Sequence, residues 1–262
     1  VSKLYLKKSL GQHFLKDESV LQKIADAAGN LNNFKTLVEI GPGMGALTKY
    51  LLKKNHPNFY VVELDDRWAE HLLQAYPPLR GKLLHQDFLD ADLGFMQYPT
   101  QIVGNFPYNI SSQIVFRVLD YKDVVQVLTG MFQKEVAKRI SAPPGSKDYG
   151  VISVLTQAWY NCRYLFDVPP ESFEPPPKVM SGVIQLTRKA QEKLNCDEDL
   201  FKLVVKTAFN QRRKTMRNSL KELVNDKSIL SQDVFNLRPE QLSVSEFEKL
   251  SNLLASANNR NE

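Results

Sequence analysis

The chain has 262 residues, 43% of them hydrophobic and 24% charged, so it is an ordinary globular chain with a real core in one large domain or a large and a small one. A formal net charge of +5 favours a polyanionic partner such as RNA or DNA, or an anionic membrane surface. Two cysteines, Cys162 and Cys196, form neither a disulfide framework nor a zinc pattern, no run approaches the roughly 18 apolar residues of a membrane span, and the basic opening VSKLYLKKSL lacks the apolar core of a signal peptide, so a reduced cytoplasmic setting without a bound metal is expected.

In chain order, residues 17–28 read as a helix capped by Asp17, with Val20, Leu21, Ile24 and Ala28 on one face. Residues 36–40 read as a buried strand, and the sequence GPGMG after it turns the chain into a helix through Leu52. A second strand is expected at 59–64, a helix at 66–76, and a short third strand at 82–85 that ends near Asp87. The fourth strand, 102–104, precedes a helix at 111–119, and the fifth, 124–131, precedes a helix at 134–140. Strands alternating with helices predict a parallel, doubly wound sheet. Residues 142–150 read as a loop, the Pro-dense 168–179 as stiff and extended, and 183–186 as a late strand. From about 197 onward the pattern is helical throughout. The division expected is therefore an α/β domain over 1–190, opening with a basic arm (Lys3, Lys7, Lys8, Lys16), and a small all-helical domain over 197–262.

Glycines at 41, 43 and 45 follow a strand and open a helix, where backbone approaches a ligand closely and free N–H groups are on offer. Glu63 ends the next strand, about 20 residues on, where an acid binds ribose hydroxyls. Asp87, after the third strand, can accept from an adenine amino group. The spacing is G-x-G-x-G rather than that of dinucleotide enzymes, and no basic residue lies between Gly41 and Gly45 to meet a pyrophosphate. With Glu39, Glu63 and Asp87 around it, the loop suits a cationic adenosine cofactor such as S-adenosylmethionine. The competing reading is a structural strand–helix turn with Glu63 a surface acid.

Asn105-Phe106-Pro107-Tyr108 falls at the end of the fourth strand, on the edge where open α/β sheets bind ligands. An exocyclic base amine is a poor nucleophile because its lone pair is delocalised into the ring. The Asn105 side-chain oxygen and the carbonyl beside Pro107 can accept both amine hydrogens, aiming the lone pair at a methyl group, while Tyr108 stacks on the base. Positioning and fixed dipoles then carry the rate. Phe173, between prolines, is expected to grip the other face of the base; the alternative is a Pro-rich linker whose Phe packs on the sheet. Arg213, Arg217 and Lys221 recur every four residues as one helical stripe opposite Met216, Leu220, Leu223 and Val224. With Arg212 and Lys214 they form a candidate phosphate-binding face.

These motifs together resemble the KsgA-type small-subunit (16S) rRNA adenine N6,N6-dimethyltransferases over nearly the whole chain, from LGQHFLKD through VEIGPGMGALT, QDFL, GNFPYNISS and FEPPPKVMSGV to FNQRRKTMRNSL. The resemblance implies a Rossmann-like class I S-adenosylmethionine-dependent methyltransferase with a small all-helical C-terminal domain. It implies dimethylation of two adjacent adenosines near the 3′ end of 16S rRNA, by a mainly monomeric enzyme acting on a pre-assembled small subunit. The family's cofactor positions fall on His13, Leu15, Gly41, Glu63, Asp87 and Asn105, with Gly43 in the same loop; His13 stands where many relatives have Asn. Competing readings are the related 23S rRNA methyltransferases of macrolide resistance, a ribosome-assembly factor that binds without catalysis, and a nicotinamide dehydrogenase, which the glycine spacing and NFPY disfavour.

Overall fold

The computed structural model describes residues 13–191 and 193–258, so the arm residues Lys3, Lys7 and Lys8 lie outside it. The chain runs through β1 (Phe14–Leu15), α1 (Glu18–Ala27), β2 (Thr36–Ile40), α2 (Thr48–Leu52), β3 (Phe59–Glu63), α3 (Asp66–Ala75), β4 (Leu83–His85), β5 (Thr100–Asn105), α4 (Ser111–Asp120), β6 (Val125–Gln133) and α5 (Lys134–Ser141). It continues through α6 (Val151–Trp159), β7 (Tyr160–Val168), β8 (Phe173–Glu174), β9 (Ser181–Arg188), α7 (Glu198–Asn210), α8 (Met216–Leu220) and α9 (Val244–Asn258), with short 3₁₀ turns between. No helix among the described residues is long and apolar enough to cross a membrane.

Residues up to 138 together with 161–188 make one compact unit, and residues 139–160 with those from 189 onward make a second. In the first, seven strands form one sheet in the order β4-β3-β2-β5-β6-β9-β7. Pairings β3–β4, β2–β3, β2–β5 and β5–β6 are parallel, as the alternating pattern predicts. The late strand corrects the wholly parallel expectation: β9 runs antiparallel to β6, Gln133 facing Ser181 and Thr129 facing Gln185. A neighbouring parallel strand needs a crossover; an antiparallel one can enter from the Pro-rich segment directly. All five residues of β2 are buried, as a central strand covered on both faces requires.

Helix α1 shows how local chemistry and the sheet cooperate. Asp17 Oδ1 accepts the Ser19 and Val20 N–H groups at 3.0 and 3.3 Å, a cap that contributes about 1 kcal/mol. Val20, Leu21, Ile24 and Ala25 form its buried face. At its other end, Gln185 Nε2 donates to the Ala27 carbonyl at 2.8 Å and Gln101 Nε2 to that of Ala28 at 2.9 Å. Sheet glutamines thus satisfy the carbonyls that a helix C-terminus leaves without partners.

In the second unit, α6 packs Trp159 edge-on to Phe201 of α7 (6.1 Å between centroids), and Phe209 of α7 lies near Tyr149 and Phe247. Seven of the nine residues of helix α6 are buried. It groups with the C-terminal helices, whereas the sequence-based division at 190–197 leaves it with the sheet.

Candidate active site

Strand order reverses at β2, with β3 on one side and β5 on the other. That is the switch point at which open α/β sheets leave a crevice beyond their C-terminal strand ends. A cavity opens there. Its walls include His13, Leu15, Gly41, Gly43, Glu63, Asp87, Asn105, Pro107 and Tyr108, nine positions singled out from sequence.

The glycine loop follows β2 directly. Gly43 has φ +53°, and a Cβ there would stand 3.0 Å from Phe14 Cε1, so only glycine lets the backbone form this wall. Its N–H donates to Glu63 Oε2 at 3.0 Å, while Glu63 Oε1 accepts from Asp65 N–H at 2.9 Å. Glu63 is 7% exposed; burial raises its pKa, and the N–H groups of Asp65, Gly43 and Leu64 hold it back. Glu39, 1% exposed in the middle of the sheet, is pushed up to about 8 by burial, with Thr48 Oγ1 donating to it at 2.7 Å in the opposite sense and the charge of Glu63 adding to the rise. Asp87 Oδ1 accepts from Leu89 N–H at 2.9 Å, and its second oxygen has no partner among the described residues.

At the end of β5, Phe106 anchors the NFPY turn. It is 1% exposed and lies over two glycines: a Cβ on Gly104 would come within 2.6 Å of its ring, and one on Gly130 within 2.1 Å. Backbone on two adjacent strands thus leaves a slot that this ring fills. The slot sets Asn105 at the cavity wall, where its Nδ2 donates to the His13 carbonyl at 3.3 Å. With Nδ2 committed, Oδ1 is the amide atom left to accept. The Pro107 carbonyl accepts Ile110 N–H at 3.2 Å, so the carbonyl available beside Pro107 is that of Phe106. Tyr108 stacks on His13, centroids 5.6 Å apart and 29° between planes, and its hydroxyl lies 2.5 Å from Ser181 Oγ. Burial raises the Tyr108 pKa and the bond to Ser181 lowers it.

Two expectations are corrected. Phe173 is 1% exposed, pairs with Leu15 in the β1–β8 ribbon and belongs to the hydrophobic core; it does not line the cavity, so in this structure it makes no sandwich with Tyr108. Nor do Arg213, Arg217 and Lys221 share one helix. Helix α7 stops at Asn210, residues 211–214 form a turn, and α8 starts at Met216, whose N–H donates to Leu237 O at 2.8 Å rather than to its own chain four residues back. Arg213, Lys214, Arg217 and Lys221 are exposed all the same. Arg217 donates to Asn236 Oδ1 at 2.9 Å and Lys221 lies 3.6 Å from Glu222. Arg212 donates to the Lys147 and Ser146 carbonyls at 2.6 and 3.4 Å, tying down the 142–150 loop. Among wall residues that sequence did not single out, Leu64 and Phe88 each directly follow a flagged acid, a signal that was present. Ser181, behind the wall and 73 positions from its partner Tyr108, carried none.

The residues fit a cationic adenosine cofactor. Three carboxyl groups stand on the wall, and among the described residues lining it none is Lys or Arg, so a pyrophosphate finds no counter-charge there. Fold and site together define a class I S-adenosylmethionine-dependent methyltransferase. The crystal structure of a Plasmodium falciparum dimethyladenosine transferase shares the fold, with TM-score 0.76 at 23% identity, covering 94% of this chain and 98% of that one. That of the 23S rRNA methyltransferase ErmE aligns with TM-score 0.68 at 26% identity, over 92% of this chain and 99% of its own. The Ribosomal RNA adenine dimethylase family model matches residues 4–255. The Ribosomal RNA small subunit methyltransferase A of Parabacteroides distasonis is 53% identical over 249 residues, 93% of this chain and 92% of its own. That of Flavobacterium johnsoniae is also 53% identical, over 94% and 95%. The chain belongs to the ribosomal RNA adenine dimethylase family: it is an rRNA adenine dimethyltransferase that uses S-adenosylmethionine.

Proposed function

We propose that this enzyme dimethylates N6 of two adjacent adenosines near the 3′ end of 16S rRNA, acting as a monomer in the cytoplasm on a pre-assembled small subunit and so contributing to its biogenesis. The observation that carries the chemistry is the Asn105 amide, held by the His13 carbonyl with Oδ1 left to accept. Asn105 Oδ1 and the Phe106 carbonyl each take one hydrogen of the adenine amine. The nitrogen is drawn toward tetrahedral geometry and its lone pair leaves the ring. Tyr108 stacks on the base and orients that lone pair. S-adenosylmethionine, when bound, supplies an electrophilic methyl group on a sulfonium. Glu63 would accept the ribose hydroxyls of the cofactor and Asp87 its adenine amine, and a cation in the crevice would favour ionisation of the buried Glu39 carboxyl. In the transfer the methyl would exchange its bond to sulfur for one to nitrogen, leaving a neutral thioether; the amine would then carry the positive charge and lose its proton to water, so no carboxylate base is needed at the nitrogen. A second transfer to the same nitrogen needs only that the monomethyl amine turn its remaining hydrogen to one acceptor.

Exposed Arg213, Lys214, Arg217 and Lys221 of the second unit are assigned to rRNA phosphates, and Arg212 to the same face as the strap of the 142–150 loop. The test is incubation with radiolabelled S-adenosylmethionine and immature small subunits, beside large subunits, followed by nuclease mapping. Label in two adjacent 3′-terminal-region adenosines of the small subunit is expected; label confined to the large subunit would refute the assignment.

A further inference from the structure

The Pro-rich segment and the strand after it bring no aromatic face to the cavity, but one of their atoms holds Tyr108 directly and another holds the His13 ring stacked on it. Ser181, which opens β9, is 0% exposed and has its Oγ 2.5 Å from the Tyr108 hydroxyl. Its backbone is fixed by register, opposite Gln133 of β6. His13 covers one face of the Tyr108 ring, and the Pro175 carbonyl accepts from His13 Nδ1 at 2.9 Å. The ring is therefore pinned at its far end and along one face, by groups that are themselves fixed. Rotation about χ2 leaves a phenol oxygen in place, whereas rotation about χ1 swings it through several ångströms. A bond at the hydroxyl consequently selects one χ1 rotamer, while the stacked His13 ring sets χ2 and with it the plane of the ring.

We propose that Ser181 is a positioning residue for methyl transfer: its hydroxyl fixes Tyr108 in the orientation on which the target adenine stacks. This rests on the reading of Tyr108 as the base platform and assigns the Pro-rich arm a role through Tyr108 rather than through Phe173. The bond acts on the geometry of attack and not on cofactor affinity, since Ser181 is not on the cavity wall.

A double-mutant cycle tests it. Ser181→Ala lowers kcat roughly 2- to 12-fold, the range of one neutral hydrogen bond, with S-adenosylmethionine affinity by calorimetry unchanged. In a Tyr108→Phe background the same change lowers kcat no further. A loss of equal size in both backgrounds, or none in either, overturns the proposal. Fluorine NMR on protein labelled with 3-fluorotyrosine gives a readout independent of turnover. Of the ten tyrosine resonances, the one absent from Tyr108→Phe moves in Ser181→Ala, and an unmoved resonance counts against the bond. Should Ser181→Ala not fold, Ser181→Cys, a near-isosteric and weaker hydrogen-bonding group, goes through the same cycle. If wild-type protein methylates no rRNA, the functional reading fails, while the fluorine shift still decides whether Ser181 holds Tyr108.

Discussion

Glu39→Gln makes a sharp test of the electrostatics of the site, because the substitution keeps shape and an acceptor for Thr48 while removing the ionisation. Glu39 is 1% exposed, and its pKa is raised by burial from an ordinary 4.5 to about 8. Below about pH 4.5 the folded and unfolded chains both carry the proton, and ionisation costs nothing. Between 4.5 and 8 the unfolded carboxyl gives up its proton and the folded one keeps it, so stability falls as pH rises and levels off above 8. At about 1.4 kcal/mol per pH unit, the full penalty is of order 5 kcal/mol, of which about 2–3 kcal/mol accumulates between pH 5 and pH 7. Glutamine carries no such slope. Any fixed cost of burying its extra N–H groups is independent of pH and cancels in the comparison. Of the two tryptophans, Trp68 lies in the first unit and Trp159 in the second, so urea unfolding in a Trp159→Phe background reads the unit that holds Glu39. The variant's advantage over wild type should grow by that 2–3 kcal/mol from pH 5 to pH 7. Parallel stability curves would show that Glu39 ionises near its ordinary value in the fold and would remove it as a neutral acid awaiting a cation.

Glu63→Ala loses the acceptor for ribose and frees the Gly43 N–H, and should weaken S-adenosylmethionine binding by roughly 2–4 kcal/mol in calorimetry; unchanged affinity would sink that assignment. Asn105→Ala should abolish methyl transfer to small subunits with the melting curve and cofactor affinity retained, and near-normal turnover would take Asn105 out of the mechanism. Gly130→Ala sets a methyl against Phe106, so melting should show a cost of about 1–3 kcal/mol, and kcat should drop as the NFPY turn shifts; an unaltered kcat would mean that the Phe106 slot does not set the geometry of the turn. Changing Arg213, Arg217 and Lys221 together to Gln should make the plot of log affinity for small subunits against log salt shallower by up to about three, with cofactor binding unmoved; parallel plots would place the phosphate contacts elsewhere.

The sequence by itself determined the parts of this protein that depend on order along one strand and its following turn. Glu63, Asp87, Asn105 and the glycines each end or follow a parallel strand, and parallel strands bring all their C-terminal ends to one edge. Strand-end position was therefore enough to assemble the wall, and the absence of basic residues in the glycine loop was enough to favour a cation. The Asp17 cap and the buried β2 run were legible for the same reason, since capping and full burial leave local signatures. Tertiary structure decided whatever depends on which distant segment fills a space. Phe173 reads equally well as a stacking ring or a core ring, and its pairing with Leu15 settled it in the core. The basic stripe follows a continuous 3.6-residue period in the sequence, yet the Met216 N–H goes to Leu237 and the helix breaks. Helix α6 has seven of its nine residues buried, and its packing against α7 decides which unit it belongs to. Ser181 meets Tyr108 because β9 joins the sheet antiparallel to β6, a pairing that no local pattern specifies, since the free energy that selects it comes from burial shared among segments far apart in the chain.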